Sequence, residues 1–383
     1  MRFNKRIESI SPFYVMEILE KAKSMEASGH RVIHMEVGEP GFPTTRAVKK
    51  EAIRAIHDNR TFYTHSLGLP ELREKIADYY FRTDGIRISP DRVIITNGTS
   101  GALVLLFGVL LGPDTLLAVS DPGYPCYRNI ASFVGAATLH VPVSEETGYQ
   151  LTAEHIAQSN QAPNVVVLAN PGNPTGILYE EETLRSLLSH VSSIDGRLII
   201  DEIYSGLVYG RDFHSALALS DEAIVINGFS KTYAMTGFRL GWMVVPSGLV
   251  RSIQKCAQNL FISPPSISQY AALRAFDDSI GLQQMLHMYE KRRDYVLSRL
   301  AELGFSIPKR PDGAFYIYAG IEKWQMDSME FVGRALSEAH VAITPGYDFG
   351  QYRAGSHVRF SYTENLETLS EGLDMLGSWL RVL

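Results

Sequence analysis

The chain has 383 residues, of which 45% are hydrophobic and 20% charged, the composition of a soluble globular protein with room for a sizeable core. A net charge of -6 gives no electrostatic case for nucleic acid or an anionic membrane as a partner. Two cysteines, Cys126 and Cys256, are too few for a disulfide framework and point to a reducing compartment.

The first residues, MRFNKRIESISPF, lack the apolar core of a secretory signal. Residues 14–28 place Val15, Ile18, Leu19, Ala22 and Met25 at helical spacing, with Gly29 as the stop. HRVIHMEV, residues 30–37, reads as a strand approaching Gly38; its His30 and His34 lack the further ligands a metal site needs. From about residue 90 short β-branched runs alternate with helical stretches. Strands are expected at 92–96, 115–120, 164–169, 197–201 and 223–227, and helices at 101–111 and 181–190. The longest apolar run, GALVLLFGVLLG at 101–112, falls well short of the roughly 20 residues that span a bilayer. It reads as a helix buried in protein, and the expected location is cytoplasmic. Helical patterns fill 247–303 and end at Gly304, and the segment from 314–319 to 357–362 mixes strands with helices.

Apolar strands separated by helices predict an α/β fold: a large domain with a mostly parallel sheet between helices, plus a smaller α+β domain built from the N- and C-terminal segments. The expected division is 1–45 as part of the small domain, 46–280 as the large domain and 281–383 as the C-terminal small domain.

Ligands of open parallel sheets bind beyond the carboxyl ends of the strands. Those ends carry unusual polar groups here. Gly98-Thr99-Ser100-Gly101 opens a helix after the 92–96 strand, and NPGNPTG (170–176) follows the 164–169 strand. Asp201, Glu202 and Tyr204 end the 197–201 strand, and Lys231 follows the 223–227 strand. Each has an ordinary structural explanation. Gly-Thr-Ser is a common helix cap, adjacent acids are common turn residues, and most lysines are surface residues. Asp201 and Glu202 point to opposite faces, so only one can serve a given site. The coincidence at one sheet edge is what calls for chemistry.

NGFSKTYAMTGFRLGWMVV, residues 227–245, holds a single lysine, Lys231, and a single arginine, Arg239, among apolar and aromatic residues. A desolvated amine is a nucleophile toward carbonyls. A phosphorylated aldehyde would need an anion cradle, which the helix start at 98–101 and Arg239 can supply. A ring nitrogen kept protonated needs a buried carboxylate, the role of the Asp partner of pyridoxal phosphate.

Together these segments resemble the class I and II aminotransferases of the aspartate aminotransferase fold, which use pyridoxal 5'-phosphate. The resemblance runs through GEPGFPT (38–44), YTHSLGLPELREKIADYY (63–80), NPGNPTG, DEIY, FSKTYAMTGFRLGW, DGAFY and VRFSY, nearly the whole chain. It implies a ping-pong transfer of an amino group between an L-amino acid and a 2-oxo acid through a Lys231 Schiff base, with Lys231 also shuttling the proton. It implies that Asp201 pairs with the pyridine nitrogen, that Asn173 and Tyr204 bond the cofactor's 3-oxygen, and that Tyr124 stacks on the ring. Thr99, Ser100 and Arg239 would bind the phosphate, with Gly98 permitting close approach. Tyr63 would reach the phosphate of a neighbouring subunit, which implies a homodimer with shared active sites. Arg359 would clamp the substrate α-carboxylate, helped by Asn173 and the backbone at Gly38. The chain departs from the commoner pattern at Gly228, where many relatives have Ser, and at Gly41, where Asp is frequent. A β-lyase or another enzyme of this fold would share the cofactor, and so would a non-catalytic regulatory domain. No arginine stands out as a reader of a second carboxylate; Arg211, Arg251, Arg274 and Arg353 are unassigned.

Overall fold

The structure is a computed structural model and describes residues 4–383. In chain order its strands are β1 (Ile33–His34), β2 (Val93–Thr96), β3 (Leu116–Asp121), β4 (Ala137–Pro142), β5 (Val165–Ala169) and β6 (Arg197–Asp201), followed by β7 (Ile224–Gly228), β8 (Gly241–Val244), β9 (Tyr316–Gly320), β10 (Val341–Ala342), β11 (Thr344–Pro345) and β12 (His357–Ser361). Its helices are α1 (Tyr14–Ala27), α2 (Arg46–His57), α3 (Pro70–Asp84), α4 (Gly98–Leu110), α5 (Pro125–Val134) and α6 (Ala153–Gln158), then α7 (Glu181–Ser193), α8 (Ser247–Leu260), α9 (Ser266–Ala272), α10 (Ser279–Leu303), α11 (Ser328–Ala339) and α12 (Leu366–Leu380).

Seven strands form one sheet in the order β2-β8-β7-β6-β5-β3-β4. Every neighbouring pair from β7 to β4 is parallel, while β8 pairs antiparallel with both β7 and β2. Thus β8 alone runs against the rest, and β2 ends at the same edge as β5, β6 and β7. The β-branched runs fit because successive side chains enter opposite cores. Val165 and Val167 pack with Ile94 and Leu103 of the α4 layer, while Val166 and Leu168 pack with Leu184 and Leu187 of α7 on the other face.

A second, antiparallel sheet has the order β11-β12-β9, and β1 pairs in parallel with β10. Ile18 and Ala22 of α1 share its core with Val296, Phe331, Phe360 and Leu373, so the N-terminal segment completes the C-terminal unit. The strand expected over 30–37 forms a ladder only at Ile33–His34. The helical stretch expected over 247–303 is broken twice, between Leu260 and Ser266, a gap that holds Pro264 and Pro265, which lack the N–H a continuing helix needs, and between Ala272 and Ser279. Among the described residues no helix is long and apolar enough to cross a membrane.

Candidate active site

The carboxyl ends of β2, β3, β5, β6 and β7 of the large sheet and the strands β9 and β12 of the small sheet converge on a cavity of ≈ 190 Å³. Gly38, Thr99, Tyr124, Asn173, Asp201, Tyr204, Lys231 and Arg359 all line it.

Asp201 closes β6 and is 3% exposed. Its carboxylate accepts from the Tyr127 hydroxyl at 3.0 Å and from the Ile203 N–H at 3.1 Å. Burial pushes its pKa up to about 6, against the pull of those two donors and of Lys231. Glu202, the next residue, lies on the other face, where Ser215 Oγ and Ala216 N–H donate to it; burial lifts it to about 8. The alternation expected of adjacent strand residues therefore delivers one carboxylate to the cavity and stores the other in the core.

Lys231 follows β7, and its Nζ donates to the Gly38 carbonyl at 2.6 Å. Burial pulls the amine down to about 8; Arg359 and Arg239 add to this, and Glu39 and Asp201 oppose it. Although the amine is enclosed, the residue keeps a face open to the cavity. Gly38 has to be glycine for this contact. A Cβ there would stand 1.7 Å from the Tyr316 hydroxyl.

Arg359 on β12 is 4% exposed. Its Nη1 donates to Asn173 Oδ1 at 2.9 Å, and its Nη2 bonds the Glu36 carbonyl and, at 3.2 Å, Thr344 Oγ1. The guanidinium is centred 4.2 Å from the Tyr316 ring and 4.8 Å from the Phe349 ring. Its buried Nε finds no acceptor among the described residues. Stacked and desolvated, the fork is held flat with a donor to spare.

The N-cap of α4, Asn97, makes no side-chain bond to the helix, so Gly98, Thr99 and Ser100 present an uncapped first turn. Arg239 is exposed, but its guanidinium sits over that turn: a Cβ at Gly98, whose φ is +68°, would come within 2.9 Å of Nη2. The Tyr204 and Tyr316 hydroxyls lie 2.9 Å apart, and Tyr124 meets Tyr127 edge-on at 5.3 Å. Tyr63 stands apart. It is 78% exposed and does not line the cavity of its own chain.

Sequence reasoning missed Tyr127, Tyr316 and the start of α1. Tyr127 and Tyr316 sit in quoted segments, DPGYPCY and the residues after DGAF, but nothing in the pattern separates their roles from those of neighbouring tyrosines. Phe13, Val15 and Met16 also line the cavity, and no local signal could have placed them there. His34, whose nitrogens lie 2.8 Å from Glu36 Oε1 and 3.2 Å from Glu26 Oε1, does not line the cavity.

Fold and cavity define an α/β enzyme in which a buried amine, a buried carboxylate and a buried guanidinium share one small space. The chain belongs to the class I and II aminotransferase family, whose pattern matches residues 30–376. It is 38% identical to the valine–pyruvate aminotransferase of Mycobacterium tuberculosis, over 97% of both chains. A crystal structure of an aminotransferase from the same organism superposes with a TM-score of 0.96 at 38% identity, covering 100% of each chain. The aspartate aminotransferase of Thermus thermophilus with maleate superposes at 0.93 with 31% identity, again over 100% of both chains. The protein is an aminotransferase.

Proposed function

We propose that this aminotransferase uses pyridoxal 5'-phosphate, held covalently through Lys231 Nζ, to move an amino group between an L-amino acid and a 2-oxo acid. The residues present fit that group. The uncapped α4 turn with Thr99, Ser100 and Arg239 suits its phosphate. Asp201 suits the ring nitrogen, Tyr124 the ring face, and Asn173 with Tyr204 the ring oxygen. When bound, the cofactor supplies an aldehyde carbon and an electron-withdrawing ring. The chain's own residues do the rest. Arg359 holds the substrate α-carboxylate with Asn173, which fixes the direction of the Cα–H bond. Once the incoming amino group takes over its bond to the cofactor, the freed Lys231 Nζ, a buried amine with its pKa lowered to about 8, would take the Cα proton. Asp201 keeps a proton on the ring nitrogen.

The observation that carries this reading is the one cavity lined by a desolvated amine, Lys231, a desolvated carboxylate, Asp201, and the buried Arg359. The test is a half-reaction. Amino donor alone, added to holoenzyme, should shift the cofactor's visible absorbance stably and release one equivalent of 2-oxo acid. Release of ammonia would instead mark a lyase.

The same reading makes the active unit a homodimer. Tyr63 and its neighbour Phe62 are 78% and 79% exposed, which supports a role against a second copy. We take 46–280 as the cofactor-binding domain, with 1–45 and 281–383 forming the small one, and the cytoplasm as its location, in keeping with two free cysteines.

A further inference from the structure

We infer that Asp121 is a positioning residue for the α-carboxylate clamp: it anchors the loop whose Phe349 ring steadies the Arg359 guanidinium, and so ties the clamp to the turn that carries Tyr124. The inference rests on the reading that Arg359 holds the α-carboxylate. Neither Asp121 nor Phe349 lines the cavity, so each acts through Arg359 and not on substrate. Every contact on the path is made within one chain.

Asp121 ends β3 and is buried. Its carbonyl accepts from the Val143 N–H at 2.9 Å, which fixes the strand end. A carboxylate buried there is costly unless donors meet it. Two successive backbone N–H groups do so, Gln351 at 3.0 Å and Tyr352 at 3.2 Å, both from the small unit. The loop closes so tightly round the carboxylate that a Cβ at Gly350 would stand 1.7 Å from Oδ1. Two further bonds run alongside. The Gly123 N–H donates to the Phe349 carbonyl at 2.8 Å, and Arg128 Nη2 donates to the Asp348 carbonyl at 2.8 Å. Residues 348–352 are thus fastened to 121–128 through Asp121, Gly123 and Arg128.

Phe349, itself buried, is what this fastening delivers. Its ring is centred 4.8 Å from the Arg359 guanidinium, whose other aromatic neighbour, Tyr316, lies at 4.2 Å. A desolvated guanidinium is attracted to such rings, and its planar fork loses both bonds to a carboxylate when it tilts. Tyr124 lies between Gly123 and Arg128, so the same fastened segment sets the proposed ring-stacking residue and the clamp at a fixed spacing.

The experiment is steady-state kinetics of purified holoenzyme with one amino donor and one 2-oxo acid, both of which carry the α-carboxylate. Asp121→Asn should raise the KM of donor and acceptor alike by about tenfold, with kcat within about threefold of wild type, because an amide gives up the charge-assisted contact. Gly350→Ala attacks the same contact from the other side and should match it. Phe349→Leu leaves the Asp121 bonds in place, removes the ring and should also raise KM by about tenfold. On a Phe349→Leu background, Asp121→Asn should add no more than about twofold, since both act through one ring. A KM within about twofold of wild type in folded D121N or G350A overturns the inference and leaves the transfer reading standing, and so does a kcat that falls further than KM rises. Effects of D121N and F349L that multiply also overturn it, as they would mark Asp121 as an independent support of the fold. Should neither D121N nor G350A fold, F349L decides, and an unmoved KM there overturns it as well. A wild-type enzyme that transfers from no amino donor brings down the reading of Arg359 and Lys231, and this inference with it.

Discussion

The capture of pyridoxal phosphate by apoprotein should report the state of the Lys231 amine directly. Only the neutral amine attacks an aldehyde. Burial lowers this amine from the usual 10.5 to about 8. At pH 7.5 roughly a quarter of it is then neutral, against about one part in a thousand for an ordinary lysine, a gain of roughly 200-fold. Because the folded pKa is depressed, the neutral fraction should climb as pH rises through about 8 and level off above it. Glu39, exposed and bonded by the Thr236 hydroxyl, is the main group holding the proton on. Glu39→Gln should therefore move the profile to lower pH. The assay is stopped-flow absorbance on mixing apoprotein with the aldehyde from pH 7 to pH 10 at fixed ionic strength, with Lys231→Ala as the blank. A rate still rising without inflexion toward pH 10, as for a solvated lysine, would refute the desolvation argument, and so would an E39Q profile displaced to higher pH.

Asp201→Asn should lower kcat by about two orders of magnitude or more, because a neutral amide cannot hold a proton on the ring nitrogen. The apoprotein should melt no lower than wild type at pH 7.5: a carboxylate raised from 3.8 to about 6 loses folded-state stability as pH climbs through that window, and Asn removes the loss. Near-normal turnover would count against the pairing. Arg359→Lys should raise KM for amino donors about 10- to 100-fold, since an ammonium cannot reproduce the fork that now spans Asn173 and the Glu36 carbonyl; steady-state kinetics with an unchanged KM would remove it from the substrate. Gly38→Ala would put a Cβ 1.7 Å from the Tyr316 hydroxyl, so the backbone whose carbonyl receives Lys231, or Tyr316, must move; thermal unfolding should register a loss of about 1–3 kcal/mol together with a fall in turnover. Intact stability and rate would contradict the close approach.

The large sheet was legible because its strands are buried on both faces: runs such as NVVVLA and RLIID admit little else, and their carboxyl ends name the site. That reasoning singled out Thr99, Asn173, Asp201 and Lys231 from one sequence, and all four line the cavity. Arg359 came only through the resemblance, since a lone arginine on a short strand has no local signature. The contacts that tune the site were not legible, because they join residues far apart in the chain. Tyr127 donates to Asp201 across 74 positions, and Tyr316 meets Tyr204 across 112. The start of α1 reaches the cavity because Asp348, at the other end of the chain, caps it. Periodicity records which face of an element is buried and says nothing of what that face meets.

Attachment of the cofactor to one nitrogen is the step on which every role above depends. Holoenzyme reduced with borohydride, digested and analysed by mass spectrometry should carry the reduced pyridoxyl phosphate on the peptide containing Lys231 and on no other. A modified peptide elsewhere, or none at all, would contradict it.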